Sequence, residues 1–282
     1  MKKLALLLLA APLVFAACGG ASSSLQVDPL AYVKRSAQKT ADLPSEQLTM
    51  TGSMELPIIG MGPATLKMTG SGDFANASKQ GQMTMSVAEV AGQRMVSQRI
   101  QMDAVIDGAT MYVRSPLLGS FMQSPLSGSQ LENGKSWVKV DLQKAEAANG
   151  VDYSSVMSQS PTQALHQLEA AGSVESIGTE MIDGVATTHY QVTNLDLSKL
   201  PQGAKIEALA HPKYGPIDVW IGNKDGYVYR ESFSLSYSAA GKSPSVSMQV
   251  DLSKFGEKVN VAIPPASKVF DATSLASGGQ GR

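Results

Sequence analysis

Residues 47–56 read QLTMTGSMEL, and apolar and polar side chains alternate along this stretch. The apolar positions, all on one side, are Leu48, Met50, Met54 and Leu56. A period of two residues is typical of a β-strand with one dry face and one wet face. Because the same pattern recurs in most of the runs that follow, it decides the fold class.

The alternation returns at residues 64–74, 82–87 and 99–107, and again in the second half of the chain. Asp-Gly pairs lie between several of these runs and predict hairpin turns. The pairs are Asp107-Gly108, Asp183-Gly184 and Asp225-Gly226. Successive hairpins predict an antiparallel sheet rather than alternating strands and helices. A sheet of about ten strands is expected to curl strongly.

Residues 28–43 follow a helical period instead. Asp28 and Pro29 suit a helix start, and Leu30, Val33, Ala37 and Ala41 form one apolar stripe. Short helices are also predicted within residues 152–172 and at 204–210. The predicted fold is therefore mainly β (α+β): a strongly curled antiparallel half-barrel whose concave face is covered by a few helices.

The N-terminus, MKKLALLLLAAPLVFAA, has the basic start, short apolar core and small final residues of a signal peptide. The apolar core is shorter than the ~20 residues of a membrane-spanning helix. Cys18, the only cysteine, follows directly and resembles the acylated cysteine of a bacterial lipobox. A free thiol is the alternative. Residues 1–17 are predicted to be a signal peptide, 18–27 the lipidated cysteine and its flexible tether, 28–270 a single half-barrel domain and 271–282 a disordered tail.

Charge excludes one class of partner. Removal of residues 1–17 takes away Lys2 and Lys3 and no acidic residue, which leaves 21 basic against 24 acidic side chains. Affinity for nucleic acid comes largely from neutralising phosphates, so this balance argues against nucleic-acid binding. The expected location is the outer face of the cytoplasmic membrane, where the acyl chains on Cys18 would hold the protein.

Methionines occupy many of the predicted inward positions. They are Met50, Met54, Met68, Met83, Met85, Met102, Met111 and Met248. Methionine is unbranched and polarizable, so it can repack around irregular ligands such as acyl chains. An ordinary sheet core in which methionine fills gaps would give the same pattern, and both interpretations stay open at this point.

Signatures of catalysis and of metal binding are missing from the sequence. His166, His189 and His211 lie far apart without metal-ligand spacing, and neither a G-x-S-x-G elbow nor a phosphate-binding loop occurs. We therefore expect no enzyme activity, no metal and no cofactor beyond the acyl anchor. Trp137 and Trp220 alternate out of phase with the inward apolar sets, and either could cover an outer helix or stand at the mouth of the barrel.

Four stretches together resemble a known family. They are GKSWVKVDL (134–142), MIDGVATTHYQV (181–192), IDVWIGNKDGYVYRESFSLSY (217–237) and VDLSKFGEKVNVAIPP (250–265). This combination is similar to the LppX/LprG family of actinobacterial lipoproteins, which have the LolA-like fold. The resemblance implies an eleven-stranded half-barrel around a hydrophobic cavity that binds or carries lipids or acylated glycolipids, and it supplies no catalytic motif.

The predicted function is that of a membrane-anchored, monomeric lipoprotein that binds lipid or glycolipid in an apolar cavity. Whether a protein partner receives the cargo is a question that the sequence leaves open. The alternative is a surface lipoprotein with a filled core that binds a protein or senses the state of the envelope. Cavity volume distinguishes these two hypotheses, since a packed interior leaves no room for an acyl chain.

Overall fold

Twelve β-strands pair side by side in the residues that the computed structural model describes, which are 28–56, 64–91, 94–116, 134–149, 165, 168, 171–196, 213–236, 238 and 243–273. The strands are β1 (Ser45–Leu56), β2 (Ala64–Ala75), β3 (Gln80–Ala91), β4 (Arg94–Asp107), β5 (Thr110–Arg114), β6 (Trp137–Asp141), β7 (Ser173–Ile182), β8 (Val185–Thr193), β9 (Lys213–Gly222), β10 (Val228–Ser236), β11 (Ser245–Ser253) and β12 (Val269–Asp271). The same ranges contain helices α1 (Pro29–Ala41) and α2 (Leu142–Asn149).

The strand order across the sheet is β12-β6-β5-β4-β3-β2-β1-β11-β10-β9-β8-β7. Strands β1 to β6 form one antiparallel meander and β7 to β11 a second, and the pairing of β1 with β11 joins them. The predicted mainly β, mostly antiparallel architecture is confirmed. The curvature of a half-barrel stays a prediction.

The twelfth strand was not predicted. β12 pairs in parallel with β6, Val269 lying opposite Trp137, whereas the other neighbouring pairs are antiparallel. A three-residue strand has too few positions to show a period, and its partner is more than a hundred residues away in the sequence. The sheet also extends past the predicted domain end at residue 270, because Asp271 belongs to β12 and Ala272 is buried.

The three predicted hairpin turns are confirmed. Asp107-Gly108 connects β4 to β5, Asp183-Gly184 connects β7 to β8, and Asp225-Gly226 lies between β9 and β10. Gly184 has φ +83°, a backbone conformation that is unfavourable for residues with a side chain. Asp183 before it has φ 47°. Positive φ at two successive residues is the geometry of the tightest hairpin turns, for which Asp-Gly is a preferred sequence.

Helix α1 is confirmed and packs as its stripe predicts. The Asp28 carboxylate accepts a hydrogen bond from the Leu30 backbone N–H at 3.1 Å, which caps the helix. Val33 and Ala37 are fully buried, and the helix lies against β7 and β10. The buried hydroxyl of Thr40 accepts a hydrogen bond from the backbone N–H of Val228 at 2.9 Å, which ties the helix to β10.

Helix α2 corrects one prediction. In SWVKVDL (136–142), the alternation of Val138, Val140 and Leu142 predicts a strand with Leu142 facing inward, but β6 ends at Asp141 and Leu142 begins the helix. The Asp141 carboxylate accepts a hydrogen bond from the backbone N–H of Lys144 at 3.1 Å, so it acts as the N-cap. The signal was present in the sequence, since an aspartate precedes a run rich in alanine, lysine and glutamate.

Several predicted features lie outside the described residues. They are the signal peptide at 1–17, Cys18 and its tether at 18–27, the helix at 204–210, most of the helical region at 152–172, and the tail beyond Thr273. Of the middle region, Leu165 and Leu168 are described and both are buried in the core.

Candidate functional site: the methionine-lined face

The strand register places the eight methionines on one face of the sheet. Residues directly opposite in an antiparallel pair share a face. Met50 lies opposite Gly70, Gly70 opposite Met85, and Met85 opposite Met102, so three methionines form a row across β1 to β4. We call this face, which also carries Leu48, the inner face, and the other the outer face.

The remaining methionines join the same face through neighbouring rows. Gly52 lies opposite Met68 on one side and Met248 on the other. Met54 joins the face by alternation along β1. Met83 lies opposite Gly72, and Met111 lies opposite Ile106. We call the eight together the methionine-lined face. That it lines a lipid cavity stays a prediction.

Along β1, inner-face side chains become less buried from Glu46 toward the methionines. Glu46 is fully buried and Leu48 is 1% exposed, whereas Met50 and Met54 are half-buried. All eight methionines are half-buried, and Met50 and Met83 border the buried core. The methionine-lined face is therefore contiguous with the core, but its side chains remain partly exposed to solvent.

Two glycines let methionine side chains lie flat against the strands. A methyl group added at Gly70 would lie 2.9 Å from Met50 Cγ, and one at Gly52 would lie 3.4 Å from Met68 Cε and 2.9 Å from the Ser247 carbonyl oxygen. A side chain at either position would displace a methionine or the backbone. Glycine at these two positions therefore permits the close approach of a neighbouring side chain.

The inner face continues across β11 to β7, where it is covered. Val192, Val219 and Ile221 are fully buried there, as is Val33 of α1. These residues belong to the same core cluster as Leu48. We call this region, the inner face of β7 to β10 together with α1, the covered half.

Two buried carboxyl groups on the inner face were missed by sequence reasoning. Glu46 is fully buried and accepts a hydrogen bond from Asn76 Nδ2 at 2.6 Å, and Glu231 is 6% exposed. The signal was their position, because both occupy an apolar phase of an alternating strand. Glu231 lies opposite Val250 and Val219, at the boundary between the methionine-lined face and the covered half.

Both tryptophans lie on the outer face. Trp220 stacks on His189 with ring centroids 4.2 Å apart, and His189 Nε2 lies 2.9 Å from Asp218 Oδ1. Trp137 packs under the guanidinium of Arg114, 4.7 Å from its ring centroid. His189 is therefore a packed residue of the outer face, while His166 and His211 lie outside the described residues.

Two features are absent from the described residues. No group of three His, Cys, Asp or Glu side chains among them is arranged to hold a metal ion. No helix in the described ranges has the length and apolar character needed to cross a membrane.

Comparison of the sequence with known proteins finds a relative in Streptomyces griseus. No family model matches the chain. A Streptomyces griseus protein, described as an uncharacterized 31.2 kDa protein in the rplA-rplJ intergenic region, is 28% identical over 153 residues, which are 49% of this chain and 48% of that protein. The match therefore spans about half the length of the curated relative.

Two solved structures are similar over most of the chain. LprF from Mycobacterium bovis has a TM-score of 0.44 at 16% identity and covers 84% of this chain and 96% of its own. The lipoprotein LppX from Mycobacterium tuberculosis has a TM-score of 0.41 at 18% identity and covers 83% of this chain and 97% of its own.

Proposed function

We propose that this chain is an exported lipoprotein, anchored through acylated Cys18, that binds lipid or acylated glycolipid on its methionine-lined face. The sheet would curl around the ligand as a half-barrel, and the protein would act as a monomer without catalysis. The site of action would be the outer face of the cytoplasmic membrane, from which cargo passes through the envelope.

One observation carries the proposal. Eight methionines share a single face, all are half-buried, and that face borders a core which α1 covers. A side chain that is flexible and polarizable adapts to acyl chains of different length and shape. An apolar face of this extent beside a sealed core indicates a binding surface, because its methionines would become more buried when a ligand covers them.

Burial supplies the binding free energy. Each methylene removed from water contributes about 0.8 kcal/mol, so an acyl chain of ordinary length contributes more than enough for stable binding. The polar headgroup would stay at the edge of the face, because burying it without hydrogen bonds costs free energy. No bond is made or broken in this mechanism.

Native mass spectrometry on the Cys18→Ser full chain, purified from bacterial envelopes, tests the proposal. The acyl anchor is removed, so any lipid mass reports on the face itself. We expect bound lipid in the Cys18→Ser protein and its loss when Met50→Trp or Met85→Trp is added. A tryptophan side chain at either position would occupy the space over the row of Met50, Gly70, Met85 and Met102, where the acyl chain is proposed to bind.

Thr51→Trp is the matched control, since Thr51 is exposed on the outer face of the same strand. It should keep the bound lipid. The proposal fails if the Cys18→Ser protein is folded but consistently empty, a result that favours the alternative of a filled core and a protein partner. It also fails if Thr51→Trp and Met50→Trp lose lipid equally.

A further inference from the structure

The outer face of the sheet carries a groove next to the segment that follows β11. Gly256 donates its backbone N–H to the Ser45 carbonyl at the start of β1, and the Ala262 N–H donates to Gln82 Oε1 on β3 at 3.3 Å. The segment then reaches β6, where the Ser136 N–H donates to the Lys268 carbonyl. Residues 256–268 thus cross the outer face of β1 to β6 and wall the groove.

The groove has a volume of about 340 Å³. That is within the range of about 300–1,000 Å³ that small-molecule sites occupy. Its polar lining comes from two neighbouring cross-strand rows of β1 to β6, and Ala262 lies at its wall. The polar side chains that line the groove lie on the outer face, opposite the methionine-lined face, although Met83 also borders the groove.

The first row centres on Asp73. The Asp73 carboxylate accepts hydrogen bonds from Gln47 Nε2 at 2.7 Å and from Gln82 Nε2 at 3.1 Å. The two amides are thereby fixed in orientation. Each oxygen of the carboxylate keeps a second lone pair that can accept a further hydrogen bond.

The second row centres on Asp103. Its carboxylate accepts hydrogen bonds from Thr84 Oγ1 at 2.8 Å and from Arg114 Nε at 2.9 Å. Burial raises the pKa of Asp103, but the hydrogen bonds from Thr84, Arg114 and Gln101 outweigh it and bring the pKa below its ordinary value. The group is therefore a carboxylate at neutral pH.

Arg114 and Trp137 end the second row. The guanidinium packs on the indole ring 4.7 Å from its centroid, and 49% of the Arg114 side chain remains exposed. Trp137 is half-buried and lines the groove. The groove therefore combines an aromatic ring, a partly exposed guanidinium and fixed carboxylate and amide groups.

The chemistry of this set selects among ligand classes. Two carboxylates against one guanidinium disfavour an anion, and the lining is too polar for an acyl chain. Both carboxylates already accept side-chain donors, which suits neither a metal ion nor a buried cation. A sugar hydroxyl both donates and accepts, so it can bond to carboxylates, to amides and to a guanidinium, while the faces of its ring pack on an aromatic side chain.

We propose that the outer groove binds a neutral carbohydrate through Asp73, Asp103, Arg114 and Trp137. The sugar lies against the indole ring, with its hydroxyls donating to the two carboxylates and accepting from the guanidinium. The ligand is either a free envelope glycan or the sugar portion of a glycolipid, since both present the same hydroxyl chemistry. This site stands independently of lipid binding on the inner face.

Titration of the Cys18→Ser full chain with mannotriose, maltotriose and xylotriose, followed by two-dimensional NMR, tests the proposal. At least one trisaccharide should shift the Trp137 indole and Arg114 Nε signals in a saturable way. The same titration with a dodecyl maltoside micelle, carried out on the Cys18→Ser chain that also carries Met85→Trp to block the methionine-lined face, distinguishes the two sources. Tighter binding of the micelle favours a glycolipid, and equal binding per sugar favours a free glycan.

Two variants locate the site. Asp103→Asn keeps the side-chain shape and should weaken binding at least tenfold, and Ser71→Tyr should block it by filling the groove from its floor. Thr51→Ala, on the same outer face but outside the groove lining, should bind as the unmodified chain does. Thermal unfolding establishes that each variant is folded.

The proposal is overturned by any of three results. The first is that none of the three trisaccharides shifts the Trp137 or Arg114 signals. The second is that folded Asp103→Asn and Ser71→Tyr both bind with unchanged affinity, which would place the sugar elsewhere. The third is that inorganic phosphate produces the same saturable shifts, which would make the groove an anion site.

Discussion

The inner face of this sheet is built in two ways on the two sides of the β1–β11 pair. In the covered half, valines and isoleucines that are at most 4% exposed pack beneath α1. On the methionine-lined face, the same side of the sheet carries flexible side chains that are all half-buried. One half is therefore completed by the chain itself, and the other is left with apolar surface in contact with water.

The side-chain types match this division. Val and Ile are stiff at χ1 and pack in one arrangement, which suits a permanent partner such as α1. Methionine has three rotatable bonds and repacks readily, which suits a partner of variable shape. The comparison predicts that the covered half carries the stability of the fold and that the methionine-lined face carries its adaptability.

The largest effect expected from this comparison comes from truncation in the two halves. Ile221→Ala removes a fully buried side chain and should lower the free energy of unfolding by about 2–5 kcal/mol. Met102→Ala removes a half-buried side chain and should cost roughly half as much, because less apolar surface returns to water. Urea denaturation of the two variants measures both losses.

Circular dichroism before denaturation establishes that both variants keep their strands. If Met102→Ala costs as much as Ile221→Ala in the absence of added lipid, the methionine-lined face is an ordinary packed core. The division between the halves would then be wrong.

A smaller effect is expected where α1 closes the covered half. Thr40→Val keeps the side-chain shape but removes the hydroxyl that accepts from the Val228 N–H and donates to the Ser36 carbonyl. The Val228 N–H is left buried without this partner, which should cost about 1–3 kcal/mol. Thr51→Val, at an exposed position of β1, should change the free energy of unfolding by less than about 0.5 kcal/mol.

Hydrogen exchange adds a local measurement to the urea midpoints. The Val228 amide should exchange faster in Thr40→Val than in the unmodified chain, while amides at the centre of β1 to β3 should be affected less. Equal acceleration across the two halves would mean that α1 stabilises the whole sheet rather than the covered half.

Local patterns made much of this fold predictable. The alternation in residues 47–56 predicted β1 and the direction of its methionines, and the stripe from Leu30 to Ala41 predicted the buried face of α1. Both inferences need only neighbouring residues, since side-chain direction follows from the period. The inward set of methionines could therefore be named before the register was known.

The remaining features depend on contacts between distant segments. The pairing of β1 with β11 joins residues about two hundred positions apart, and nothing local indicates that partner. The buried position of Glu231 depends on what surrounds it, because sequence alone does not show how a carboxyl group in an apolar phase is compensated. The outer groove needs the segment after β11 to cross the six strands β1 to β6, which no periodicity encodes.

The smallest effect concerns how the sheet ends beyond the methionine-lined face. There Lys139 Nζ lies 2.8 Å from Asp271 Oδ2, joining β6 to β12 at an exposed site, in contrast with the buried Thr40 bond of the covered half. The hydrogen bonds from Lys139 and Thr273 lower the pKa of Asp271 to about 2 from 3.8. A lowered carboxyl pKa stabilises the folded state above the unfolded value, and this contribution is lost as the pH falls through the folded value.

Because Asp271 is 54% exposed in its side chain, solvent screens the pair, and Asp271→Asn should lower the free energy of unfolding by less than about 1 kcal/mol near neutral pH. The difference between Asp271→Asn and the unmodified chain should shrink as the pH falls from about 4 toward 2, where the native carboxyl group also becomes protonated. Urea midpoints across this range measure it, with Glu175→Gln on the opposite edge strand β7 as the control. The comparison would be contradicted if Asp271→Asn lowered the free energy of unfolding at neutral pH as much as Thr40→Val does. The sheet edge beyond the methionine-lined face would then be held as strongly as α1 is held on the covered half.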